Sequence, residues 1–135
     1  MDLPSLLGQT CDVVAMAGRR AKGQWGRVAS ATKPDSSLVT EVDRQTEVLL
    51  SDELRRALPN SGFAGEEFGR SAHGDRYVWV CDPIDGTTNF VRGLPHWCVS
   101  VGLLDGGEPV MGVVFAPALD TTYAAYAGGG AWRNG

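Results

Sequence analysis

Tyr77-Val78-Trp79-Val80-Cys81-Asp82-Pro83-Ile84-Asp85-Gly86-Thr87-Thr88-Asn89-Phe90 is the stretch on which the reading of this chain turns. Its first five residues are rich in β-formers, so they read as a buried strand that delivers Asp82 at its end. Pro83 fixes φ and has no N–H to donate, and Asp85-Gly86 then turns the chain. Two carboxylates three residues apart around such a turn can converge on one point, and the Ile84 carbonyl between them can face the same way. That is a hard-oxygen set, suited to magnesium or manganese rather than zinc. Beyond it, Gly86, Thr87 and Thr88 offer amides and hydroxyls, and a helix starting there would make an anion site. Clustered carboxylates repel one another, so without a cation a raised pKa or a disordered loop is expected. Taken alone, the D-x-x-D-G pattern is also an ordinary turn.

Upstream lies a second acidic motif, Gly65-Glu66-Glu67-Phe68-Gly69, after a short strand expected over Phe63 to Glu66. Glu66 and Glu67 read either as further metal ligands or as a solvated surface pair. Thr40 reads as a helix N-cap, with Glu41 and Asp43 in the first turn, where the helix dipole favours anions. Val42, Thr46, Leu49, Leu50, Leu54 and Leu58 then follow helical spacing, and Pro59, Asn60 and Gly62 stop the helix. An earlier helix is expected from about Leu3 to Ala21, and the polar stretch from Gly23 to Ser37 reads as a loop.

Downstream, strands are expected over Trp97 to Leu104, Pro109 to Phe115 and Thr122 to Ala127, the first two joined by the hairpin signal Asp105-Gly106-Gly107. Two helices followed by a run of strands imply an α+β, layered arrangement with the N-terminal helices packed on a mainly antiparallel sheet. After Gly128-Gly129-Gly130 the chain closes on Asn134-Gly135, a hairpin-turn pair with no strand after it. The fold is therefore expected to be incomplete at its C-terminus, residues 1–135 forming only the N-terminal part. Val99, Val101, Val113 and Phe115 would then face water where the missing half should cover them.

The 135 residues suffice for one core, and the 43% apolar and 21% charged fractions fit a globular chain. A net charge of −4 argues against nucleic acid as a partner, and Arg19, Arg20, Lys22 and Arg27 read as a solvated helix end. No apolar run is long enough for a membrane span, and no signal peptide is visible. Cys11, Cys81 and Cys98 are odd in number and widely spaced, which reads as buried, reduced thiols and a cytoplasmic setting. His73 sits in a polar loop, and His96 reads as a packing residue. No Ser or Cys has a convincing base partner, and no Lys-Ser/Thr follows Gly128 to Gly130 as a P-loop requires.

The segments Leu38-Val39-Thr40-Glu41-Val42-Asp43, Gly65-Glu66-Glu67, Asp82 to Phe90, Gly128-Gly130-Ala131 and Asn134-Gly135 occur in an order that resembles the inositol monophosphatase family, within the wider magnesium-dependent, lithium-sensitive phosphatases. The resemblance implies a layered α/β sandwich that hydrolyses a small phosphate monoester, inositol monophosphate or a related sugar phosphate, as a homodimer. It implies that Glu66, Asp82, the Ile84 carbonyl and Asp85 bind Mg2+, and that Asp43 and Thr87 orient the attacking water. It implies a phosphate site at Ile84, Asp85, Gly86 and Thr87, and inhibition by lithium. The run Asn89 to Gly93 also resembles histidinol-phosphate phosphatases, and a non-catalytic, truncated metal- or phosphate-binding remnant is the reading from another class. Ser37 stands where the family often has an acidic residue, Lys33 is near a family lysine without a secure offset, and the later Trp-Asp motif has no counterpart.

Overall fold

Helix α1, Leu3–Lys22, begins at Asp2, whose side chain accepts the Ser5 amide at 3.2 Å, with Pro4 in its first turn. Leu6, Leu7, Thr10, Val14, Ala17 and Ala21 form its buried stripe, and Arg19, Arg20 and Lys22 sit in the last turn, where the dipole favours cations. Helix α2, Glu41–Ala57, starts with a capping box: the Thr40 side chain accepts the Asp43 amide and Asp43 accepts the Thr40 amide. Its buried stripe is Val42, Asp43, Thr46, Glu47, Leu50 and Leu54. These features belong to a computed structural model that describes residues 1–27, 31–32, 38–67, 69–70 and 76–135. Lys33, Ser37, Phe68 and His73 lie outside those residues, as does most of the expected 23–37 loop.

The strands are β1 (Ala31–Thr32), β2 (Leu38–Val39), β3 (Gly62–Gly65), β4 (Gly69–Arg70), β5 (Tyr77–Asp85), β6 (Cys98–Asp105), β7 (Glu108–Ala116), β8 (Thr121–Tyr126) and β9 (Gly130–Arg133). β1 and β2 pair as a small ribbon, and the rest form one seven-stranded sheet in the order β4-β3-β5-β6-β7-β8-β9. Every pairing is antiparallel except β3 with β5. A short helix, α3 (Thr87–Val91), follows β5, and a 3-10 turn, Pro117–Leu119, joins β7 to β8. The fold class read from the sequence holds: helices on a mixed, mostly antiparallel sheet.

α1 lies across β6, β7 and β8, and α2 across β3 and β5. Alternation along the strands decides what they cover. Trp79, Cys81, Val99, Val101, Leu103, Met111, Val113 and Phe115 point to the helices and are buried with Val14, Leu50 and Leu54. At Gly18 the helix comes so close that an added Cβ would lie 2.5 Å from the Phe115 ring. The expectation that Val99, Val101, Val113 and Phe115 face water is thus overturned, because their face is the one beneath α1. Among the described residues, neither α1 nor α2 covers the opposite face. Register places Val80, Gly102, Gly112, Ala125 and Ala131 opposite one another in a row across five strands, with Tyr123 exposed beside it.

Three further differences have local causes. β5 does not stop at Cys81 but continues through Asp85, so the turn begins at Gly86. β9 pairs with β8 after the glycine turn at 128–129, a strand that the sequence reading did not anticipate. Of the three free cysteines only Cys81 is fully buried; Cys11 and Cys98 are half-buried.

Candidate active site

The site forms where β5 ends. In a regular strand, residues three apart point to opposite faces. Asp82 pairs with Ser100 and Asp85 with Cys98, so three steps along β5 match two along β6: one residue is extra, a β-bulge. Pro83 falls inside this irregularity, where its missing N–H costs no ladder bond. The bulge, not the expected turn, brings both carboxylates to one side, and the Asp82 carboxylate accepts a bond from the Ile84 backbone. Ile84 turns its side chain inward among Ala21, Val42, Phe90 and Trp97, leaving its carbonyl at the site.

Gly86 turns β5 into α3 with φ +90°. A Cβ there would meet the His96 carbonyl at 2.8 Å, so glycine is required by conformation and by space. The loop after α3 is tied back at several points: Asn89 Nδ2 donates to the His96 carbonyl at 2.7 Å, Trp25 Nε1 to the Leu94 carbonyl at 2.9 Å, and the Gly26 amide to the Phe90 carbonyl at 3.0 Å. Phe90 packs edge-on against Trp97, their centroids 4.7 Å apart. His96 contributes its backbone; its side chain is exposed and does not pack as expected.

α2 brings Asp43 from the other side. Its Oδ2 accepts the Thr40 amide at 2.8 Å and the Thr40 hydroxyl at 2.5 Å. Its Oδ1 lies 2.9 Å from Thr87 Oγ, which is also 3.1 Å from the Ile84 carbonyl. The Thr87 hydroxyl has one proton for these two acceptors, and its own oxygen remains free to accept. Asp43 and Thr87, paired only by inference from the sequence, are therefore in direct contact, although 44 residues apart.

Burial, reinforced by the charges of Asp85, Glu66 and Asp43, pushes the Asp82 carboxyl up to about 6, and the Ile84 bond only partly offsets this. Carboxylates from α2, the β3–β4 turn and β5 thus share one electrostatic neighbourhood. Cys98, whose thiol is 3.9 Å from Asp85 Oδ2, is pushed up to about 11 by burial and by Asp85 and Asp82. Among the described residues, no three acidic, His or Cys side chains already close around an ion-sized point. The donors nonetheless suit a hard divalent cation: several carboxylates and a carbonyl, whose crowding adds to burial in raising the Asp82 carboxyl. Glu66 and Asp85 are exposed and Asp82 is half-buried.

One residue of this neighbourhood escaped the sequence reading. Glu47 is fully buried in α2, and its Oε1 accepts the Glu67 amide at 2.8 Å. The available signal was its place on the buried stripe, four residues after Asp43 and three before Leu50.

Residues 4–135 match the sequence model of the inositol monophosphatase family. A fructose-1,6-bisphosphatase/inositol-1-monophosphatase of Thermotoga maritima is 44% identical over 113 residues, covering 82% of this chain and 43% of that protein. A histidinol-phosphatase of Mycobacterium tuberculosis is 48% identical over 103 residues, covering 76% of this chain and 40% of that protein. The crystal structure of the extragenic suppressor protein suhB from Bartonella henselae superposes with a TM-score of 0.89 at 31% identity, over 96% of this chain and 51% of that one. The chain spans about half the length of the curated relatives it matches. With the bulged acidic strand, the Asp43–Thr87 contact and this family-wide match in agreement, the chain belongs to the inositol monophosphatase family.

Proposed function

We propose that residues 1–135 supply the metal- and phosphate-binding part of a magnesium-dependent phosphomonoester hydrolase, acting on inositol monophosphate or a related sugar phosphate. The observation that carries this reading is the convergence of groups from separate elements at the β5 bulge: Asp82 and Asp85 flank it, Thr87 Oγ lies 3.1 Å from the Ile84 carbonyl, and Asp43 Oδ1 from α2 lies 2.9 Å from that hydroxyl. Glu66, Asp82, the Ile84 carbonyl and Asp85 would hold Mg2+. When bound, the ion supplies positive charge that acidifies a water and polarises the phosphoryl group.

The chain's own residues do the rest. Thr87 Oγ donates to Asp43, so it can accept a proton from a water held beside it, and Asp43 is the acceptor behind it. The fixed geometry of Gly86 sets the amides of Gly86 and Thr87 beside Ile84 and Asp85, where the phosphate would bind. The remaining ligand and the groups that recognise the alcohol lie, in this reading, in the half that the relatives have and this chain does not match. The 135-residue chain alone is therefore expected to hydrolyse phosphate esters no faster than background. A soluble cytoplasmic homodimer with lithium-sensitive turnover completes the proposal, with no nucleic-acid or membrane partner; among the described residues no helix is long and apolar enough to cross a membrane.

A second substrate, histidinol phosphate, is favoured by the Mycobacterium tuberculosis relative and by the Asn89–Gly93 run. The test uses a protein of the relatives' length that contains this chain. Hydrolysis of inositol-1-phosphate and of histidinol phosphate is measured with Mg2+, with lithium and after chelation. Mg2+-dependent turnover of either ester is expected, with the faster one naming the substrate; undiminished turnover after chelation refutes the proposal. Asp85→Asn, which keeps shape and removes one charge, should lower turnover by about two orders of magnitude or more.

A further inference from the structure

We infer that Glu47 is a positioning residue whose buried carboxylate, lodged against Gly65 and bonded to the Glu67 amide, fixes where the Glu66 carboxylate stands beside Asp82. The inference rests on the metal reading of Glu66 given above. A carboxylate is rarely sealed from water unless the fold uses it, and Glu47 is 1% exposed in the middle of α2. Its Oε1 accepts the Glu67 N–H at 2.8 Å, a charge-assisted bond to backbone. A Cβ added at Gly65 would lie 2.3 to 2.6 Å from the Glu47 carboxyl atoms. Gly65 is thus the residue that lets the carboxylate reach the turn.

Glu66 stands between these two contacts. With Gly65 pressed on one side and the Glu67 amide held on the other, the backbone carrying Glu66 has little freedom to shift. The charge of Glu66 is among those felt at Asp82, so where the turn sits matters to the site. Glu47 and Asp43 lie four residues apart, hence on one face of α2. One rigid helix therefore clamps both halves of the candidate centre: Asp43 holds Thr87 after β5, and Glu47 holds the Glu66 turn after β3. Ligands fixed by such outer contacts lose about 10- to 100-fold in metal affinity when the contact is removed.

The test follows Mn2+ binding to the 135-residue chain by electron paramagnetic resonance, and amide hydrogen exchange at Glu67, in Glu47→Gln, Glu47→Leu and Gly65→Ala. Glu47→Gln keeps an oxygen for the Glu67 amide and should retain both slow exchange and Mn2+ affinity. Glu47→Leu and Gly65→Ala should speed Glu67 exchange and weaken Mn2+ binding by about ten-fold or more. In a Glu66→Gln background the Glu47→Leu effect on affinity should vanish, because both act through the same ligand. A folded Glu47→Leu variant that binds Mn2+ like the parent, or additive effects in the double variant, overturns the inference. Should Glu47→Leu not fold, Gly65→Ala decides by the same two readouts. If the unsubstituted chain binds no Mn2+, the metal reading fails by itself, and Glu67 exchange still judges the clamp: fast exchange in the unsubstituted chain overturns it.

Discussion

Asp82 holds its proton at pH values where an ordinary aspartate has lost it, because burial and three neighbouring carboxylates oppose its charge. The sign of the stability effect follows. Below the unfolded pKa, near 4, Asp82 is neutral in both states and contributes nothing; as pH rises towards about 6 and beyond, the folded state is progressively penalised. Asp82→Asn mimics the neutral form. Its thermal midpoint should match that of the unsubstituted chain at about pH 4, exceed it increasingly up to about pH 7, and lose that advantage when Mg2+ is added, all measurable by calorimetry. A constant difference across this range would mean that Asp82 is not the group under strain. Glu47 shows how far residue-level reading goes: a glutamate on a helix reads as solvated, and only its position on the apolar stripe marks it as buried.

At the scale of elements, caps and periodicity were legible and pairing was not. Leu6, Leu7, Val14 and Ala17, and later Val42, Leu50 and Leu54, mark the helical faces that the structure buries. Val99, Val101 and Leu103 alternate with Ser100 and Gly102, which identifies β6 and its inner face. The bulge between Asp82 and Asp85 left only Pro83 as a local mark, because its register exists only relative to β6, and β9 left little because its residues are exposed and short of apolar pattern. In the candidate site, Asp82, Asp85 and Glu66 could be found from strand ends, whereas Glu47 required the packing of α2 on β3. Capping gives an element-scale prediction. Thr40, 2% exposed, caps α2 and holds Asp43, whereas the Asp2 cap of α1 is exposed. Thr40→Ala should cost about 1–2 kcal/mol in denaturant unfolding and Asp2→Ala about 0.5 kcal/mol. Equal losses would show that the Thr40–Asp43 contact adds nothing beyond a surface cap.

For the whole molecule, the two faces of the sheet differ. One is covered by α1 and α2, while on the other Val80 and Ala131 are exposed, Gly102, Gly112 and Ala125 between them are half-buried, and Tyr123 is 49% exposed. Exposed apolar sheet of this kind favours self-association. Tyr123→Glu places a charge there, opposite Arg133 on β9, without touching the core. Stability should change by no more than about 0.5 kcal/mol while sedimentation shifts towards monomer; an unsubstituted chain that stays monomeric at every concentration would show that the face does not self-associate. The packing of α1 on β6, β7 and β8 has a consequence in time. Those partners lie roughly a hundred residues after the helix, so a ribosome adding about 5–20 residues per second completes them some 5–20 s after α1 has been made. Throughout that interval the leucines of α1 have no sheet to bury them, so its apolar stripe is a surface of the nascent chain that a chaperone can hold.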